Sequence, residues 1–374
     1  MKLRLAVALI AAAYIVAFFS HAWHLQKTVY GDGVFYFSWL RSVVVDHDID
    51  FTNEYADSRV SQPNTPLGYA GNKYSIGPAV IWAPLYITVH QIVRGDGWSL
   101  PYQLAAGITS VLAALFGLVL LLRFLPSPPP VRILTVLAVA GASNLLFYGA
   151  VDPVNSHALS FFAAVVYLSV ITAKKPHWFA GGISLAFLAS IRNQDAIYIL
   201  ALIPFWRQVN WRLFIFGAAL GFLPQLAAWV SLYGSVANPY IAGGETFDLL
   251  RPHIVGVLFG ISSGLFLWTP IAAIGFFGLL LHDTKRPQYD KQRKIYLLIF
   301  CLQVYLVASW STWWQGASVS GRMFVSTLPL LAVGLTSIIE RIYTHHLLRS
   351  ILPLLILALS LLNGIGTLYY LFTY

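Results

Sequence analysis

The sequence predicts an all-α, polytopic membrane protein, and three observations carry that prediction. Of its 374 residues, 58% are hydrophobic and only 10% are charged, against roughly a quarter charged in soluble domains. The mean hydropathy is +0.71. Apolar runs long enough to cross the roughly 30 Å hydrocarbon core of a bilayer recur along the chain. They are continuous and do not alternate with period two, which argues against a membrane β-barrel. Cys301 is the lone cysteine, so an intramolecular disulfide framework and a cysteine metal site are both excluded. The net charge of +9 needs no nucleic acid to explain it, because Lys and Arg accumulate on the cytoplasmic side of membrane proteins.

The elements follow in order from the charge pattern. Lys2 and Arg4 precede a first helix from about Leu5 to Ala22. A cleaved signal ending near Ser20-His21-Ala22 is the alternative, although the apolar run is long enough to span. Residues 23–100 then form a large first extracytoplasmic loop. The next cytoplasmic signal is the Pro-rich turn Arg123 to Arg132, so one crossing, Pro101 to Leu122, separates the two. Ile76 to Val93, broken by Pro84, is therefore expected to re-enter or lie at the interface. Helix three covers about Ile133 to Gly149, and helix four His157 to Ala173. Two short segments, Trp178 to Ile191 and Ala196 to Trp206, hinge at Arg192-Asn193-Gln194-Asp195. Helix seven runs from Leu213 to Leu232 and helix eight from Gly264 to Leu281, before the most basic loop, His282 to Lys294. Helices nine (Ile295 to Trp310), ten (Phe324 to Ile339) and eleven (Ile351 to Leu371) complete about eleven spans in a single integral membrane domain, with no soluble C-terminal domain expected. This arrangement puts 15 Lys/Arg and 3 acids on the cytoplasmic side, and 8 Lys/Arg and 11 acids outside, the expected sign of bias.

Ionisable residues gathered at the outer helix ends mark a site by default. Tyr30 to Tyr55 alone holds five of the 14 acids. Gly31-Asp32-Gly33 precedes an aromatic segment, Val34 to Val45, expected to lie as a short helix in the membrane interface. Asp32 reads either as its N-cap or as a functional acid, and flanking glycines permit a close approach to the backbone. Asp46, Asp48 and Asp50 are weak metal candidates. An EF-hand would need Gly and Glu where Phe51 and Asp57 stand, so a solvated turn closed by Asp side chains is the simpler reading. No resident cofactor is expected, with a divalent cation left open. Asp152 and His157 sit at a very short connection, where Asn155 or Ser156 can cap the next helix. Arg192 and Asp195 interrupt two half-length helices, either as a snorkelling loop or as the lining of a cavity. Trp313 and Trp314 suit an interfacial belt, and Arg322 can clamp a phosphate bidentately.

Several of these stretches together resemble the GT-C superfamily of membrane glycosyltransferases, and within it the bacterial relatives of the protein O-mannosyltransferases. The carrying residues are Gly31-Asp32-Gly33 with Phe35-Tyr36 and Leu40-Arg41, then Asp46 to Tyr55, and Lys73 to Pro78. Asp152-Pro153 with Ser156 to Phe162, Trp313-Trp314 through Gly321-Arg322, and Pro329 complete the set. The likeness covers nearly the whole chain, but each motif is short and moderately specific. The resemblance implies a polyprenyl-phosphate-linked sugar as donor and a glycan, lipid or protein acceptor in the cell envelope. It implies Asp32 as catalytic base, Asp152 as a second acid, and Arg322 or Lys73 near the donor phosphate. His157, Arg192, Trp313 and Trp314 are further substrate-binding candidates. Pro153 and Asn155 depart from the family's second acidic motif. A transporter or a non-catalytic lipid-binding subunit is the rival reading. Transporters favour polar groups at the midplane and repeated halves; here polar groups gather at one face and no repeat is visible.

Overall fold

The computed structural model describes residues 2–236, 239, 244–282, 289–316 and 318–373. Of the basic loop His282 to Lys294, residues 283–288 lie outside this set. Among the described residues there is no strand, only two isolated bridges, as expected of an all-α chain.

The helices are α1 (Lys2–Leu25), α2 (Gly33–Arg41), α3 (Thr52–Ser58), α4 (Gly77–Val93), α5 (Leu100–Phe124), α6 (Pro129–Ala142), α7 (His157–Ile171), α8 (Trp178–Ile191) and α9 (Trp211–Tyr233). After them come α10 (Ile254–Phe259), α11 (Leu265–Trp268), α12 (Pro270–Leu280), α13 (Asp290–Ser309), α14 (Leu328–Tyr343) and α15 (His346–Thr373). Among the described residues, five helical stretches are long and apolar enough to cross a membrane: Val7–Leu25, Leu100–Phe124, Trp211–Tyr233, Arg322–Tyr343 and His346–Tyr369. Four shorter apolar helices, α6, α7, α8 and α12, accompany them. The outer helices carry exposed apolar side chains, such as Phe216 and Leu223 on α9 and Leu354 and Leu362 on α15, surfaces that need lipid rather than water. The chain is a membrane protein.

Packing relies on small residues where backbones cross. A methyl group on Gly182 would fall 2.0 Å from the Phe214 carbonyl oxygen, and one on Gly278 2.1 Å from that of Gly334. So α8 lies directly on α9, and α12 on α14. Such small-residue seams are how membrane helices approach without a hydrophobic driving force between them. The central α7 is buried along most of its length.

Several expected helices are interrupted. Helix three ends at Ala142 and is followed by a π-helical turn, Phe147–Val151. Helix eight is divided at Thr269, because Pro270 has no N–H to continue the ladder. The segment after the Arg192 hinge, Asn193–Phe205, winds as a 3-10 helix, and a shorter 3-10 turn, Arg322–Thr327, leads into α14.

Two ends of the bundle are distinct. At one, Leu125, Thr172, Arg293 and Ser337 surround a single cavity, and Ser127 donates to Glu340 at 2.9 Å. At the other lie the first loop, the Asp152 connection, the Arg192 hinge and the Arg322 turn. Helix α4 starts and finishes at this second end. The Ile76 N–H donates to Gln225 at 3.1 Å and Gly77 abuts Ser190, while beyond its far end Gly97 packs on Arg41 and Val45.

Candidate functional site

Asp32 and Arg322 form an ion pair at 2.8 Å. Asp32 precedes α2 with helical backbone angles, and its side chain makes no cap bond. One carboxylate oxygen meets Arg322 and the other accepts from the Tyr74 hydroxyl at 2.8 Å. The two glycines around it have separate causes. Gly31 adopts φ +54, a left-handed conformation disfavoured for other residues. A methyl group on Gly33 would stand 2.3 Å from the Val154 carbonyl oxygen, so α2 presses directly on the Asp152 connection. The close approach expected at these glycines is thus made at Gly33 by the chain itself, while nothing lies within 4 Å of a methyl group placed on Gly31.

The Arg322 backbone is held by a strap, 318–321, pinned from the interruption after α6. Asn144 Nδ2 donates to the Ser320 carbonyl at 2.6 Å and the Gly321 carbonyl at 3.2 Å. The Tyr148 hydroxyl donates to the Val319 carbonyl at 2.9 Å and accepts from its N–H at 3.0 Å. Breaking helix three therefore has a consequence: it frees Asn144 and Tyr148 to fix the arginine.

Asp152 faces the same pair. Asn155 Nδ2 donates to its carboxylate at 3.0 Å and to its carbonyl at 2.8 Å. Loss of solvent pushes the carboxyl up to about 7; the Arg322 charge opposes this and the Asp32 charge adds to it. Asn155 also accepts from the His157 N–H at 2.9 Å, capping α7.

His157 links two arginines. Its Nδ1 lies 2.8 Å from Arg192 Nη1. A guanidinium only donates, so Nδ1 must be the acceptor and the ring is neutral. The ring also lies near the Arg322 main chain. Arg192 also donates to Ser156 Oγ at 3.0 Å and touches Met323 Sδ. Ser156 in turn accepts from the Tyr36 hydroxyl at 3.0 Å. The Arg192 hinge lines a cavity of ≈ 220 Å³ together with Tyr36, Ser75, Phe247 and Trp310.

Other expected site residues stand elsewhere. Lys73 pairs with Glu245, which also accepts from the Trp310 indole. This pair ties the first loop to a segment running along the end of α13, where Asp248 N–H bonds the Ser309 carbonyl at 2.7 Å. Trp313 stacks on His253 with ring centres 4.6 Å apart, and Trp314 is largely exposed; neither touches the Asp32–Arg322 pair. Asp46 and Glu54 both hold Arg41. Asp48 accepts from Ser42 Oγ at 2.7 Å, and Asp50 from the Thr52 N–H at 3.2 Å and hydroxyl at 2.7 Å. These carboxylates thus shape the loop through separate partners. The aromatic segment also departs from expectation: Gly33 to Leu40 are all buried in protein, so α2 does not lie on the lipid interface.

Sequence reasoning passed over Tyr74, Tyr148 and Met323 as site residues. A tyrosine in a chain holding 20 of them has no distinguishing signal until its hydroxyl is placed. A scan against protein-family models matches none, and searches of curated proteins and of solved structures return no match.

Proposed function

We propose that this chain is a membrane glycosyltransferase that moves a sugar from a polyprenyl-phosphate donor to an acceptor hydroxyl, with inversion, on the extracytoplasmic side of the cell membrane. The observation that carries the reading is the meeting of Asp32 and Arg322, remote in sequence, as an ion pair beside a second acid, Asp152. Inverting transfer needs a base to accept the acceptor's proton and a cation to stabilise the departing phosphate. In the step, the acceptor oxygen bonds the anomeric carbon. The bond from that carbon to the phosphate oxygen breaks, and its electron pair stays on the phosphate. Arg322 turns from Asp32 to the phosphate, which frees the Asp32 carboxylate to take the hydroxyl proton. Donor arrival thereby switches on the base.

A long isoprenoid tail needs an apolar cleft open to lipid. Helix α2 cannot wall one, being enclosed. The cleft of ≈ 610 Å³ between Trp268, Leu359, Leu362 and the 318–320 strap is the better candidate. Gly316, on its edge, faces the Arg322 guanidinium, since a methyl group there would lie 3.5 Å from Nη2.

The test is consumption of radiolabelled polyprenyl-phosphate sugars by purified protein in lipid discs. Asp32→Asn should lower the rate about 10²–10⁴-fold, the usual worth of a positioned base, while the protein stays folded in the disc. Arg322→Gln should raise the KM for the donor more than that for the acceptor. Transfer by Asp32→Asn at the wild-type rate would end the assignment.

A further inference from the structure

Arg192 stands in the wall of the ≈ 220 Å³ cavity with no carboxylate bonded to it, although the buried Asp195 carboxylate feels its charge. Its bonds go to Ser156, His157, Gln194 and Met323, all uncharged groups. Arg41, Lys73 and Arg322, at the same end of the bundle, each hold a carboxylate. Among the described residues, no Asp or Glu lies within the 4.0 Å of an ion pair with Arg192. Asp195, three positions on, turns instead to Ser326 at 2.8 Å and Gln303 at 2.9 Å. A guanidinium cannot shed its proton to escape burial, and removing a cation from water without a partner is costly. Two donors beside the cavity, Arg192 Nε and Asn193 Nδ2, also lack hydrogen-bond partners. The remaining walls are mostly apolar: the aromatics Tyr36, Trp310 and Phe247, with Ile191, Leu306 and Val307.

We propose that this cavity is a second oxyanion subsite, in which Arg192 receives a phosphate or carboxylate carried on a small, sugar-sized body lying against Trp310 and Phe247. The bonded oxyanion that Arg192 lacks is what such a group brings, and a guanidinium matches both oxyanions bidentately. The cavity is smaller than the roughly 300–1,000 Å³ of pockets that enclose drug-sized ligands, so it takes one group and not a whole lipid-linked donor. Resting on the glycosyl-transfer reading, the subsite makes the acceptor, or the transferred sugar, an anionic one.

Equilibrium dialysis of a radiolabelled hexose 1-phosphate against protein in phosphatidylcholine discs tests this, with the free hexose as neutral control. Wild type should bind two equivalents of the phosphate, one at each arginine, and the free hexose far more weakly. Arg192→Gln should lose one equivalent. So should Val307→Phe, which fills the cavity from its α13 wall and leaves the bonds of Arg192 intact. Arg322→Gln should keep the Arg192 equivalent. If wild type binds a single equivalent that Arg192→Gln abolishes, the subsite stands and the donor role of Arg322 falls. Adding anionic phosphatidylglycerol to the discs separates two sources of the same chemistry: displacement of the Arg192 equivalent identifies a lipid headgroup as the occupant, and its persistence a soluble anion. Binding by Arg192→Gln and Val307→Phe equal to wild type, or free hexose binding as well as its phosphate, overturns the proposal.

Discussion

Asp152 is the residue whose behaviour departs most from its free chemistry. Its carboxyl is pushed from the ordinary 3.8 up to about 7, chiefly by loss of solvent. The folded protein therefore holds this proton more tightly than the unfolded chain does. The stabilisation it contributes is fully present below pH 3.8 and is lost as pH rises through about 7. The gap bounds the effect at roughly 4 kcal/mol, and water reaching the site reduces it to about 1–2 kcal/mol. Asp152→Asn removes the titration. The variant should match wild type near pH 4 and be more stable by about 1–2 kcal/mol near pH 8, read as melting curves in detergent across that range. Parallel pH profiles for the two proteins would show that the carboxyl is not desolvated. At this scale, the sequence marks Asp32, Asp152 and Arg322 because charges are rare in an apolar chain and each must have a reason. It does not mark Tyr74 or Met323, whose place depends on side-chain contacts between remote segments.

Elements carry the site through their interruptions more than through their lengths. The expected positions of most long helices agree with those observed to within a few residues, since unbroken apolar runs leave the backbone no other way to satisfy its hydrogen bonds in lipid. The breaks after Ala142 and at Thr269 were less legible. Only Pro270 announces one of them locally, whereas the turn at Ser143 and Asn144 is set by what Asn144 binds across the bundle. The junction of α2 with the Asp152 connection is the most sensitive of these contacts. With the Val154 carbonyl 2.3 Å from the position of an added methyl, Gly33→Ala must push Asp32 away from the Asp152 connection. We expect a loss of about 1–3 kcal/mol, typical of overpacking, together with a fall in sugar transfer. Gly364→Ala on α15, where nothing lies within 4 Å, is the matched control and should leave melting temperature and transfer unchanged. Equal effects of the two substitutions would mean that the α2 junction can relax freely.

At the scale of the whole molecule, charge and architecture agree on two ends but only one of them identifies a side. Counting Lys and Arg assigns Arg123, Lys174, Lys175 and Arg341 to the cytoplasm. The structure independently groups their neighbours Leu125, Thr172 and Ser337 around one cavity, far along α5 and α14 from Asp32 and Arg322. Which helices lie side by side was not legible in the sequence, because apolar faces of similar composition are interchangeable until glycine seams such as Gly182–Phe214 pair them. The sidedness is testable with single cysteines, placed in a Cys301→Ser background so that the one natural thiol is removed. Ala56→Cys in α3 should react with a membrane-impermeant maleimide on intact cells. Ala173→Cys and Thr344→Cys should react only after permeabilisation. Arg94→Cys decides the case of α4. Because that helix begins beside Gln225 and is followed by a turn beside Arg41, position 94 should label with position 56. Labelling of Arg94→Cys only after permeabilisation, with Thr344→Cys then reacting on intact cells, would mean that Gly77–Val93 crosses the bilayer. Every later loop would then invert, and Asp32 would be separated from Arg322 by the full membrane thickness, which their 2.8 Å ion pair forbids.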